Sequence, residues 1–257
     1  MLINAVVMFL RELLPLLLLV SVFLVWHGSR WRWFVAVFSA SSVVGILALT
    51  SQFSRISAWQ DGQGLELLYA LLYLLCAGLL GVALYINGWC ADTRRHLWAT
   101  MLAALSCSAL SLIHGANLVL YLWFYQRTPT ESQSLWLGAA MGIGIGMSVA
   151  VLLYYLALEL QQYWRWTLVL LLALLGARQI SMAVAIMIQT DWLAPGAVLW
   201  DSQQLINEQS EYGYFLNALL GYEATPSVSL LLAMAISVVV LFVLGRRLEV
   251  QHARDLE

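Results

Sequence analysis

Arg11 and Glu12 stand side by side in a run where, apart from Asn4, every other residue from Met1 to Val20 is apolar. A charge inside a membrane-spanning helix costs about 2.5–3.5 kcal/mol on insertion scales, so such residues face the bundle interior or a watery cavity and mark a substrate path. The chemistry this pair offers is cation handling: a carboxylate to hold an ion, and a guanidinium to keep the empty site neutral. Pro15 adds a second signal, because it frees a backbone carbonyl about one turn earlier, near Arg11. The bland alternative is a structural Arg–carboxylate pair that locks two helices together.

A second polar set lies in another apolar run. Cys107, Ser111, His114, Asn117 and Tyr121 follow one another in steps of 4, 3, 3 and 4, which lines one face of a helix. A polar stripe through a hydrophobic helix has to meet water or other polar groups. A lone histidine in such a helix is often only a hydrogen-bonding clasp; the five-residue stripe favours a pathway surface. Arg178 is a third buried charge, too deep to stay unpaired, and Glu12 is the expected carboxylate for either it or Arg11. Gln179 and Ser181 lie beside it, and Arg178, Met182, Ala185 and Gln189 share a face. Glu66 opens a further run, where it would line an entrance or cap its helix as an N-terminal carboxylate.

The elements that position these residues follow from hydropathy. The 257 residues are 62% hydrophobic and only 10% charged, with a mean hydropathy of +0.83, whereas a soluble domain carries about 25% charged residues. Seven runs are long enough to cross a bilayer, near 3–26, 33–52, 65–87, 98–125, 136–160, 166–189 and 226–245. The expectation is an all-α integral membrane protein, one transmembrane domain over 1–257, multi-pass in the cell inner (plasma) membrane. Trp26, Trp31, Trp33, Trp59, Trp89, Trp98, Trp136, Trp164 and Trp166 flank the spans as interfacial belts.

All 12 basic residues are arginine. With the N-terminus outside and the C-terminus inside, eight of them (Arg30, Arg32, Arg94, Arg95, Arg165, Arg246, Arg247, Arg254) fall on the inner side. Only Arg55 and Arg127 fall outside, which selects that orientation. Acids collect on the outer side: Asp61, Glu66, Glu131 and, in the 190–225 connection, Asp191, Asp201, Glu208, Glu211 and Glu223. That surface would gather cations. Ala197–Ile206 and Tyr214–Leu220 have short amphipathic patterns, and Trp192, Trp200, Tyr212, Tyr214, Phe215 and Tyr222 suit an interface, so short helices lying on the outer surface are expected there.

Other features exclude functions. Cys76, Cys90 and Cys107 form no CxxC pair and read as small apolar residues. The first run lacks a basic leader and a small-residue cleavage site, so a retained helix is expected. Gly142–Ile–Gly–Ile–Gly is not a phosphate loop, since no strand precedes it; Gly138, Gly142 and Gly146 instead make a seam for close helix approach. Nothing resembles a nucleotide-binding or nucleic-acid-binding domain, no enzyme activity is indicated, and no bound organic cofactor is expected. A haem cytochrome would need two placed axial ligands, and only His114 lies deep. Glu12 and His114 are 102 residues apart, in the first and fourth spans. Spans one to three and four to six would then be inverted repeats, with span seven added and the substrate site near the midplane.

The chain resembles the oxidase-dependent iron permeases, the high-affinity iron transporter family. Their Arg-Glu-Gly-x-Glu motif, on helices one and four, is matched here in degraded form by Arg11–Glu12–Leu13–Leu14–Pro15 and Ile113–His114–Gly115–Ala116–Asn117. The tail is closer: Trp192–Leu193–Ala194–Pro195–Gly196, Leu199–Trp200–Asp201 and Leu219–Leu220–Gly221–Tyr222–Glu223–Ala224–Thr225–Pro226–Ser227 fit the family pattern. The His-Glu-x-x-Glu segment usual near the end of helix six is replaced by Ala185–Ile186–Met187–Ile188–Gln189. The resemblance implies a metal cation permease with iron as transported substrate, held by Glu12, His114 and Asn117 and admitted by Glu66. Arg11, Arg178, Ser111, Tyr121 and Pro15 would support that site. With most motif carboxylates gone, ferrous iron is favoured over ferric, whose charge wants more anionic oxygens. A periplasmic metal-binding or oxidase protein is the partner such a permease would meet. The alternative is a non-transporting membrane subunit that docks a periplasmic or membrane oxidoreductase, its buried polar groups being structural.

Overall fold

The computed structural model describes residues 2–27, 30–89, 93–125, 132–163, 165–207, 210, 212–213, 216–217 and 221–254. Cys90, Arg127, Glu131, Trp164, Glu208, Glu211, Tyr214 and Phe215 lie outside the described residues, as do the side chains of Trp89, Arg94, Arg95, Arg165, Arg246, Arg247 and Arg254. The helices are α1 (Leu2–His27), α2 (Trp31–Ser51), α3 (Phe53–Ser57), α4 (Gly64–Trp89), α5 (Thr93–Tyr125), α6 (Ser132–Tyr163), α7 (Arg165–Gln189) and α8 (Val228–Arg254). Seven of them are long and apolar enough to cross a membrane, over Leu2–Trp26, Trp31–Ser51, Gly64–Ile86, His96–Tyr125, Ser134–Tyr163, Trp166–Gln189 and Val228–Gly245. Each end falls within three residues of its expected place, because long uninterrupted hydropathy leaves few other ways to satisfy the backbone in lipid.

The seven helices divide into two layers. Those of spans one, three, four and six are 50% to 61% buried over their most apolar stretch, and those of spans two, five and seven only 17% to 28%. So α1, α4, α5 and α7 form the interior, where the charged and hydrogen-bonding side chains sit, and α2, α6 and α8 face outward. The outer helices are fastened by small residues. A Cβ added at Gly142 would lie 2.8 Å from Phe9 Cβ and 2.9 Å from the Val6 carbonyl oxygen. One added at Gly138 would meet Ala5 and the Leu2 carbonyl oxygen at 2.6 and 2.8 Å. The glycine seam therefore seats α6 directly on α1. On the other flank α2 meets α5 through Gly45 against Leu112 and Gly115 against Ile46, and through a Ser41–Ser108 hydroxyl contact of 2.6 Å.

Glu12, His114 and Arg178 sit ten, eleven and eleven residues from Leu2, Tyr125 and Gln189, the ends of their spans on the side that carries the 190–227 connection. At 1.5 Å per residue this places all three in one layer about 15–17 Å down. Beyond that layer Leu18, Leu19, Val22, Phe23, Phe34, Leu80, Leu84, Leu110 and Leu172 are at most 1% exposed. They close the other half of the bundle with packed hydrocarbon.

The 190–227 connection differs from expectation in one stretch. Ala197–Ile206 is not a helix: Val198 pairs with Ser227 in an antiparallel bridge, and Leu199 N–H and Ser202 N–H donate to the carbonyls of Pro226 and Ala224 at 3.1 and 2.9 Å. Pro195 and Gly196 (φ +73°) open this stretch in a form no helix continues. The amphipathic pattern there serves a two-arm loop instead.

Candidate functional site

Glu12 is carried into the interior by α1, which runs unbroken through the buried Pro15. Its residue exposure is 4%, and every described contact of its carboxylate comes from a chain donor. Arg11 donates to Oε1 from Nη2 at 3.0 Å and from Nε at 3.2 Å. On α5, His114 Nδ1 lies 2.8 Å from Oε2, and Asn117 Nδ2 donates to the same oxygen at 3.3 Å. Because a carboxylate accepts, this contact puts a proton on Nδ1. Nε2 of His114 is then buried with no hydrogen-bond partner among the described residues. An imidazole oriented through one nitrogen by a carboxylate, with the other nitrogen left over, is the second-sphere arrangement common among metal-binding histidines.

The network continues towards the loop-bearing end. Tyr69 on α4 donates its hydroxyl to Asn117 Oδ1 at 3.0 Å, which turns the Asn117 amide so that Nδ2 faces Glu12. Glu66, exposed in the first turn of α4, precedes Tyr69 by three residues, about one turn. Arg11 has a half-exposed side chain, 50% against 5% for Glu12, and its Nη2 also touches Met8 Sδ at 3.4 Å. The cluster is thus reached past Arg11 and Tyr69 and sealed behind by the apolar plug. Tyr73 closes it sideways, its ring edge-on to His114 at 6.5 Å.

Several expected members take other places. Glu12 pairs with Arg11, not with Arg178. Tyr121 does not join the hydrogen-bonded set; its ring packs edge-on against Phe9 at 6.3 Å and tilted against Tyr125 at 4.7 Å, because α5 has carried the stripe to the rim by that turn. Ser111 is buried one turn before His114, and Cys107 another turn further on. Glu66 lies at the mouth and not at the centre. Among the described residues no group of three or more His, Cys, Asp or Glu could hold a metal ion, so the protein ligands gathered here are one carboxylate, one imidazole and one amide. Tyr69 and Tyr73 were not singled out from the sequence; the available signal was the spacing of Tyr69 and Tyr73 from Glu66, at steps of three and four.

Arg178 forms a separate centre. It is 4% exposed, and its partner is Asn217 in the 190–227 connection: Nε donates to the Asn217 carbonyl oxygen at 2.6 Å and Nη2 to Oδ1 at 3.2 Å. Among the described residues nothing hydrogen-bonds to the buried Nη1, to Ser181 Oγ or to Gln179 Oε1. No sequence signal pointed to Asn217, since nothing in its spacing placed its backbone and side-chain oxygens beside Arg178.

Compared with protein-family models, with curated proteins and with solved structures, the chain matches none.

Proposed function

We propose that this multi-pass chain is an inner-membrane cation permease, with iron, ferrous before ferric, as the transported substrate. One observation supports it above the others. Glu12 and His114, 102 residues apart, meet at 2.8 Å inside two helices long and apolar enough to cross a membrane. Buried charge of this kind is expensive and functional by default.

In this reading Arg11 balances the charge of Glu12 when no ion is bound. An arriving cation takes Oε1 of Glu12 from Arg11, which is half exposed and free to turn outward. Asn117 offers its amide oxygen once Tyr69 lets go, and His114 Nε2 provides the remaining lone pair. Carboxylate, imidazole and amide suit a borderline divalent ion better than a trivalent one. The orientation is N-terminus out and C-terminus in, so the loop-bearing end faces outward, Glu66 and the acidic loops gather the ion, and the apolar plug is the inner gate. Spans one to three and four to six are the inverted repeats. Two pairings support this: span one packs on span five, and span four on span two, each through glycines. Exchange of the two halves would interchange these pairings.

The test is uptake of radiolabelled ferrous iron into proteoliposomes. Wild-type protein takes up the ion, and Glu12→Gln, which keeps the side-chain shape, takes up none while remaining folded. Uptake by Glu12→Gln at the wild-type rate overturns this role for Glu12, and a wild-type protein that moves no ion overturns the permease reading.

A second reading rests on the same geometry. Both Glu12 oxygens are already satisfied by chain donors, as they would be in a structural clasp. A non-transporting subunit docked to an oxidoreductase is supported if the purified protein binds no divalent ion yet carries a partner through purification.

A further inference from the structure

Beside Gly78 the packing of α4 opens. A Cβ added at Gly78 would meet nothing within 4 Å, whereas at Gly81, one turn further on, it would lie 3.2 Å from Leu241 of α8. Gly81 is where α4 and α8 touch, and Gly78 is where they part. Glycine in a helix interior weakens the helix relative to alanine, and at Gly78 no close helix contact accounts for it.

The gap is a groove of about 460 Å³ between α4 and α8 that reaches Ile180 of α7. Its floor is buried, at Ala77, Ser237 and Leu241. Its rims, Leu74 and Val82 on α4 and Ile236 and Val240 on α8, are 42% to 61% exposed. Ser237 turns its hydroxyl to the Ala233 carbonyl of its own helix, so the floor presents hydrocarbon. Leu74 lies ten residues into its span, Gly64–Ile86, and Tyr85, the lining residue at the far end, is next to its end. The groove therefore runs about 16–17 Å along α4, from the middle of the bundle to the face opposite the 190–227 connection. That length matches one leaflet, half of a hydrocarbon core about 30 Å thick.

We infer that this groove is a lipid site, which takes a single acyl chain of a phospholipid from that leaflet and sets its head beside Tyr85. Other occupants fail on size or chemistry. A transmembrane helix ~10 Å across would fill roughly 1,200 Å³ over the same length, more than twice the groove. Water finds too few polar partners on such a floor. Lipid tails are as apolar as leucine, so the chain is held by van der Waals contact and not by escape from water. In the groove it meets protein below and on both sides, where a tail against an open helix face meets protein on one side only. Tyr85, 42% exposed, stands at the level where an aromatic ring with a polar tip meets headgroups.

Photolabelling of the full chain in phosphatidylcholine nanodiscs tests this without reference to transport. The probe is phosphatidylcholine with a diazirine in one acyl chain, diluted into the same lipid. In wild-type protein 74–85 and 236–244 take about tenfold more label than 141–151 of α6. Gly78→Phe puts a ring into the groove and abolishes that excess. Gly144→Phe is the control, since Gly144 of α6 is also exposed with open space beside it, and there the excess stays. Even labelling of α4, α6 and α8 overturns the inference, as does an excess that survives Gly78→Phe or is lost in both variants. If Gly78→Phe does not fold, native mass spectrometry of the detergent-purified wild-type chain decides: one retained phospholipid supports the site, and a bare chain overturns it.

Discussion

The layer about halfway through the bundle holds two centres of opposite polarity. At Glu12 an anion lies among donors from α1 and α5, and the hydrogen-bonded set extends through Asn117 to Tyr69, one helical turn from the exposed Glu66. At Arg178 a cation lies among acceptors that, among the described residues, all come from Asn217. The first centre is built from side chains on two regular helices, the second from one side chain and the end of an irregular segment. A half-exposed neighbour, Arg11, can leave the first; every neighbour of the second is buried or tied down. By this contrast the Glu12 centre is the exchangeable one and the Arg178 centre the fixed one.

The largest effect that would break the contrast is at Glu12. Glu12→Ala leaves Arg11, His114 and Asn117 facing a void, and breaking a buried pair from one side costs about 3–5 kcal/mol. An unfolding titration in mixed micelles should show that loss, with Glu12→Gln losing clearly less; equal losses would mean that charge plays no part. Next comes Asn217→Ala, which removes one acceptor from a charged donor. Hydrogen bonds to charged groups contribute about 1.5–3 kcal/mol, and the same titration should register a loss in that range. A smaller expected quantity sharpens the comparison. In the double variant Glu12→Gln/Asn217→Ala the two losses should add to within about 0.5 kcal/mol if the centres are independent. A larger discrepancy would show that Tyr73, edge-on to His114 and in electrostatic contact with Arg178, joins them. The mildest change is Tyr69→Phe, expected to cost about 0.5–1.5 kcal/mol. It should disturb only the Glu12 centre and leave the stability loss caused by Asn217→Ala as it is.

Much of this was legible from residue types. Seven apolar runs gave the seven spans, because a bilayer allows almost no other use of such a sequence. The meeting of Glu12 and His114 was equally readable: each is too polar to face lipid, and both lie near the middle of their spans. Arg11 as the partner of Glu12 was one of two open choices, and adjacency on α1 decided it. Tyr121 was misjudged because helical spacing says which face a residue occupies and not how far along the helix the polar environment extends. Asn217 was invisible for a different reason. It accepts through a backbone carbonyl, which every residue has, and through Oδ1, and nothing in its sequence position set either against Arg178. The helix expected over Ala197–Ile206 failed because amphipathic spacing over ten residues is shared by paired arms of a loop.

The seam between α1 and α6 has a mechanical outcome. With Gly138 and Gly142 set against the Leu2 and Val6 carbonyls, no compressible side chain cushions the two backbones, and they behave as a single beam. The far side of that beam, with Leu137, Val151 and Tyr155 at 50% to 64% exposure, is the ridge that acyl chains would press. Lateral pressure or thinning of the bilayer on that ridge is therefore delivered, undamped, to the turn of α1 that carries Arg11 and Glu12.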